Sequence, residues 1–350
     1  MPYYDVKTVL TPLFSFALTL YAGAALANDP LTVAGSSTVF PYAAMSADAF
    51  VESHDFAYPE VTAGGSSTGL KMFCEGVGAG TLDIAMASRS IKATEIANCA
   101  DNGVNDIIEV RIGYDGLVFA NGVDNPSFSF VPADWYGALA ARVMVNGVLS
   151  DNVATRWSEV NNTLPDVEIS AYIPSAQHGT REVFDLKMLL EGCKATGAYE
   201  AFMTENGGDR KAASASCTSL RSGSFAQEQE GGAKEILERI RGSQSAIGVV
   251  SLGFFDTNAS ALQAGTINGV EANAENIATG VYPVSRPLFM YVKQANIAET
   301  PGIKEFVLTV LSDEMSGPGG FLTLFGLVSD PKLQETRDKV INEERLGASG

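Results

Sequence analysis

Positive charge is scarce in this chain. Lys and Arg number 23 against 41 Asp and Glu, a formal net charge of −18. That balance repels phosphate backbones and excludes nucleic acid as a partner. It weighs less against a small buried anion, which feels nearby dipoles and donors more than exposed charges beyond a screening length of about 10 Å. Histidine is scarcer still, limited to His54 and His178. There is no His-x-x-x-His and no Cys-x-x-Cys, so the usual zinc spacings are missing and no metal or other cofactor is expected. Gly-x-Ser-x-Gly is also absent. So are Gly-x-x-x-x-Gly-Lys-Ser/Thr and a Gly-x-Gly-x-x-Gly after a strand, which makes an adenine nucleotide a poor match. After the first 27 residues no apolar run is long enough for a membrane span of about 20 residues.

The N-terminus reads as a targeting segment. Lys7 supplies the positive start, residues 9–20 an apolar core, and Ala25-Leu26-Ala27 a small-x-small cleavage site. The expected mature chain begins at Asn28. Cysteine number four, as two near pairs: Cys74 with Cys99, and Cys193 with Cys217. Four cysteines allow three connectivities, and the clustering favours these two local bridges in an oxidising compartment. The remaining length exceeds an ordinary single domain of about 100–200 residues, so two domains are expected.

Three loops share one composition. They are Gly35-Ser36-Ser37-Thr38-Val39-Phe40-Pro41, Gly64-Gly65-Ser66-Ser67-Thr68-Gly69-Leu70-Lys71 and Ala176-Gln177-His178-Gly179-Thr180-Arg181-Glu182. Each follows a strand-like run and opens an apolar-periodic helix. Such a loop aims backbone N–H groups and the positive end of a helix at one spot. A hydroxyl there serves equally as a helix cap, worth about 1 kcal/mol. Three loops of one design favour an oxyanion site. Leu82-Asp83-Ile84-Ala85-Met86-Ala87-Ser88-Arg89 reads as a buried strand ending on a cation suited to a bidentate oxyanion contact. Arg181 is a second cation, equally suited to pairing with Asp185. His178 lies inside the third loop.

The β-loop-α alternation predicts an α/β fold with a mostly parallel sheet and ligands at strand C-terminal ends. Residues 107–112 and 116–120 read as two strands joined through Gly113-Tyr114-Asp115, the first crossing into a second domain. Residues 282–292 read as the crossing back. Residues 197–223 read as a polar surface excursion stapled by Cys193–Cys217.

At these residues the chain resembles the PstS-type periplasmic phosphate-binding proteins of ABC transporters, over essentially its whole mature length. The three loops, Asp83–Arg89 and Tyr282-Pro283-Val284-Ser285-Arg286-Pro287-Leu288 carry the likeness. The resemblance implies a type II periplasmic-binding-protein fold: two α/β lobes, a ligand cleft and a two-strand crossover hinge. Lobe I would be 28–113 with 288–350, and lobe II 114–287. It implies an exported monomer, without catalysis, that binds phosphate and docks on a membrane permease. The implied ligand set is Thr38, Val39 through its N–H, Ser66, Ser88, Arg89, His178, Gly179 and Thr180. Three positions depart from the common pattern. His178 replaces a serine, Pro174 an arginine and Ser88 an aspartate. Arg89 looks like the replacement cation. The acceptor that would read the proton on monohydrogen phosphate must then lie elsewhere, with Asp115 the candidate. Another tetrahedral oxyanion such as sulfate or molybdate, a phosphate-ester hydrolase using Ser66 or Ser67, and a scaffold binding no anion are the alternatives.

Overall fold

A computed structural model describes residues 30–176, 179–230 and 232–347. The expected targeting segment and His178 lie outside the described residues. None of the described helices is long and apolar enough to cross a membrane.

Strands β1 (Thr32–Gly35), β2 (Glu60–Ala63) and β3 (Ile84–Ala87) come first in the chain. The helices Phe40–Ser53 and Ser66–Phe73 connect them, and β1 pairs in parallel with both neighbours. All four residues of β3 are buried, as a short continuous apolar run in a parallel sheet should be. Next is β4 (Ile107–Gly122), a single strand of 16 residues. The pair β5 (Ser129–Phe130) is followed by a hairpin of β6 (Arg142–Val145) and β7 (Val148–Asp151). Then come β8 (Ser170–Pro174), β9 (Ala226–Gln229), β10 (Ala246–Ser251), β11 (Leu262–Ile267) and β12 (Ser285–Lys293). The main sheet runs β2-β1-β3-β12-β4-β10-β8-β9, with β11 on β4 and β5. It is mixed: β12 is antiparallel to both β3 and β4, and β10 is antiparallel to β4.

Burial divides this sheet. One set of cores gathers residues from Leu31 to Ile112 and from Leu288 to Val340. The other gathers Leu117 to Val284, with Val328 added. β4 runs through both, and β12, entered from Val284 of the second core, pairs with it from Ile107↔Lys293 to Gly116↔Ser285. The register shifts between Leu288 and Phe289, where Ile112 is the extra residue. Such a bulge bends and twists a ladder locally without ending it. That is why residues 107–112 and 116–120, expected as two strands, form one. Tyr114 also exchanges both backbone hydrogen bonds with Val328, at 2.8 Å each, so a third length of chain crosses here.

The structure joins Cys74 to Cys99 and Cys193 to Cys217. Residues 197–223 differ from the expected surface excursion. They form the helices Ala198–Glu205 and Arg210–Cys217, which bury Ala198, Phe202, Ala213 and Cys217 against Tyr136, Ala140 and Cys193. Small apolar residues at helical spacing suffice there despite the polar composition. Asp209 caps the second helix by accepting from the Lys211 and Ala212 N–H groups.

Candidate functional site

The first loop leaves the C-terminal end of β1. It is held by the Ser36 N–H on Met86 O at 2.9 Å. The second is hooked to it, since the Gly64 and Gly65 N–H groups both donate to Gly35 O at 2.8 Å. Two helix starts are thereby locked side by side beneath the end of β3. Ser66 and Ser88 meet there: the Ser88 N–H donates to Ser66 Oγ at 3.1 Å, and the two hydroxyls lie 3.2 Å apart.

The third loop comes from the other half of the molecule. Its helix Gly179–Phe184 is anchored by Phe184, whose ring stands edge-on to Trp135 at 5.5 Å in a cluster with Phe119, Phe130 and Trp157. This anchoring presses the loop against the first one. A Cβ on Gly179 would stand 2.1 Å from Thr38 Oγ1 and 2.8 Å from Thr38 Cα, so glycine is required for the approach.

Arg286 joins the two sides. It sits on β12, with its side chain one-tenth exposed. Its Nη2 donates to Thr38 Oγ1 at 2.6 Å and to Gly179 O at 2.9 Å, and its Nη1 to Glu182 at 3.1 Å. Asp115 faces it from the paired position on β4, 1% exposed. Asp115 Oδ2 lies 3.6 Å from Arg286 Nε, an ion pair too long for a hydrogen bond, and neither atom has a hydrogen-bond partner among the described residues. Burial pushes the Asp115 carboxyl above the usual range, although the Arg286 charge pulls it down. The same burial and the Asp115 charge raise the neighbouring Tyr42 phenol.

Most of the expected ligand residues therefore line one or other of two cavities, with Arg286 on the second and bonded to Thr38 and Gly179 of the first. Thr38, Gly179, Thr180, Asp115 and Pro174 line one of about 430 Å³. Ser66, Ser88 and Arg89 line the other, of about 530 Å³, and Arg286 borders it too.

Two expected donors already have partners within the protein. The Val39 N–H donates to Ser36 O at 3.2 Å, because the first loop closes as a tight turn on itself. Arg89 is gripped through both Nη atoms by Glu95, at 2.7 and 2.9 Å, with Ser67 Oγ at 3.1 Å. Glu95 opens the next helix, where its carboxylate also accepts from the Lys92 N–H, and this fixes the guanidinium at the cavity rim. Arg181 is buried between Asp185, at 2.7 Å, and Glu228. Arg286, the central cation, had no role assigned from sequence. Its signal was the segment Tyr282–Leu288 itself: an arginine inside an apolar strand crossing between domains.

A family model described as the PBP superfamily domain matches residues 22–314. The chain belongs to that superfamily. It is 27% identical over 326 residues to protein SphX of Synechococcus elongatus, covering 90% of this chain and 84% of that one. It is 25% identical over 286 residues to the phosphate-binding protein PstS of Staphylococcus haemolyticus, covering 80% and 76%. The crystal structure of a possible phosphate binding protein from Planctomyces limnophilus superimposes with a TM-score of 0.66 at 25% identity, covering 90% of this chain and 99% of that one. The α/β architecture of this PBP superfamily chain is the type II binding-protein fold expected from the sequence. Among its described residues no three His, Cys, Asp or Glu side chains are grouped to hold a metal ion.

Proposed function

We propose that this chain is an exported binder of inorganic phosphate that delivers it to an ABC-type importer. The observation that carries the reading is Arg286, one guanidinium touching Thr38 from one half and Gly179 from the other. An oxyanion there would meet a cation and two helix starts, with the Thr38 and Thr180 hydroxyls on one side and those of Ser66 and Ser88 on the other, which suits a tetrahedral group with many acceptor sites. Arg286 supplies the charge that Pro174 lacks, and Arg89 stands at the rim. Asp115 is the acceptor in this reading. Its buried oxygen would accept the hydrogen bond from the P–OH of monohydrogen phosphate and would repel a fully ionised anion.

The halves act as lobes, 28–113 with 288–350 and 114–287, that close on the anion, and the closed form is what a membrane permease recognises. Residues 1–27 are the export signal, the chain works in the periplasm as a monomer, and the reaction is binding without catalysis. Calorimetry with phosphate, sulfate and molybdate tests the reading. Tight binding of phosphate alone is expected. Preference for sulfate or molybdate, or steady turnover of a chromogenic phosphate ester that Ser66→Ala abolishes, would overturn it.

A further inference from the structure

The second cavity is large for one orthophosphate and is charged against the trend of the chain. Its volume is about 530 Å³, on the order of 15–20 waters at about 30 Å³ each. An oxyanion of five heavy atoms at Arg286 fills a minor part of it. Three cations line this cavity (Arg89, Lys187 and Arg286) in a chain of net charge −18. The one carboxylate among its lining residues, Glu182, is already engaged by Arg286 at 3.1 Å.

The far side of the cavity is built for a second anionic group. Arg89 is oriented from behind by Glu95, and its Nε–H has no partner among the described residues. Lys187, exposed on the π-helical turn Asp185–Leu190, has no carboxylate partner among the described residues. The helix Ser66–Phe73 starts at Gly65 without any side-chain cap, and Ser67, Thr68 and Ser90 add hydroxyls to the same wall. Arg286 itself, nine-tenths buried, borders the cavity on the near side.

We infer that the site accepts condensed phosphate, with inorganic pyrophosphate the simplest member. One phosphoryl group sits at Arg286 with Ser66 and Ser88. The other reaches Arg89, Lys187 and the first turn of the Ser66–Phe73 helix. This rests on the orthophosphate reading above, because the first phosphoryl group uses that site.

The test is calorimetry on the mature chain with orthophosphate and with pyrophosphate, alone and in competition, for the wild type, Lys187→Gln and Arg89→Gln. Pyrophosphate is expected to bind at least as tightly as orthophosphate and to be displaced by excess orthophosphate. Lys187→Gln should weaken pyrophosphate about 5–20-fold, near the low end of the roughly 10–150-fold range for one charged hydrogen bond because the ammonium is exposed, while leaving orthophosphate within about twofold. Arg89→Gln should weaken pyrophosphate more than it weakens orthophosphate, and thermal melts confirm that each variant folds. Orthophosphate binding without pyrophosphate binding, or equal losses for both ligands in both variants, overturns this inference and leaves the orthophosphate reading standing. Binding of neither ligand overturns both.

Discussion

Lys293 is fully buried at the end of β12 and should make the fold more stable in alkali. Its ammonium donates to Thr81 Oγ1 at 3.0 Å and lies 5.2 Å from the centre of the Phe73 ring. Burial lowers it from 10.5 to about 8, against the pull of Asp83 and Glu75. The unfolded chain therefore binds more protons than the folded one between pH 8 and 10.5, and stability rises across that window. Below about pH 8 the full cost is present, roughly 3 kcal/mol at about 1.4 kcal/mol per pH unit. Lys293→Met keeps an unbranched stem, removes that cost and loses one hydrogen bond worth about 1 kcal/mol. The variant should gain about 2 kcal/mol at pH 7. Near pH 11 the lysine is neutral in both states, so the gain should vanish and reverse slightly. Asp83 does not depend on the lysine, since it accepts from the Thr32 N–H and hydroxyl, from Asn296 and from Thr300. Urea unfolding of both proteins at pH 7 and 10.5 measures the difference directly. A variant that is destabilised at pH 7, or a difference that does not change with pH, refutes the reasoning.

Arg286→Gln should weaken phosphate binding by on the order of 1.5–3 kcal/mol, the range for charged hydrogen bonds. Arg89→Ala should cost less, because Glu95 already holds that guanidinium; calorimetry on both variants ranks them. Asp115→Asn should narrow the ratio of phosphate to sulfate affinity, and an unchanged ratio would remove Asp115 from the selection. Gly179→Ala should force the two loops apart and weaken binding by about 1–3 kcal/mol, the usual cost of overpacking. A melting temperature within a few degrees of wild type would assign that loss to the site.

The parts of the site that are local in sequence were readable there. Hydroxyl-rich loops after apolar strands announce helix starts whatever the tertiary context, and the buried run at Ile84–Ala87 announces its strand. What could not be read depends on pairing between distant segments. Arg286 becomes central only when β12 inserts beside β4 and brings it to Thr38, far earlier in the chain. Arg89 is paired with Glu95, and six residues of separation do not reveal which side of a turn a guanidinium takes. The helices within 197–223 were hidden because their fully buried face is made mainly of alanine and cysteine, with Phe202 the one large side chain wholly inside it and Tyr199 and Met203 half-buried beside it.

The position of β12 in the sheet has a consequence for the order of folding. It fills the gap between β3 and β4, yet it is the last strand made. Until residue 293 is available, the facing edges of those two buried strands have no partner and are open to wrong pairing. The half formed by Leu117–Val284 contains nearly all of its own core and does not wait. It should fold first, with the half built from both chain ends closing around β12 afterwards. Pulse-labelled hydrogen exchange during refolding should show β10 protected before β3, and the opposite order would contradict this sequence of events. A chain secreted unfolded would thus assemble its anion site last, at the moment its final strand slots into the middle of the sheet.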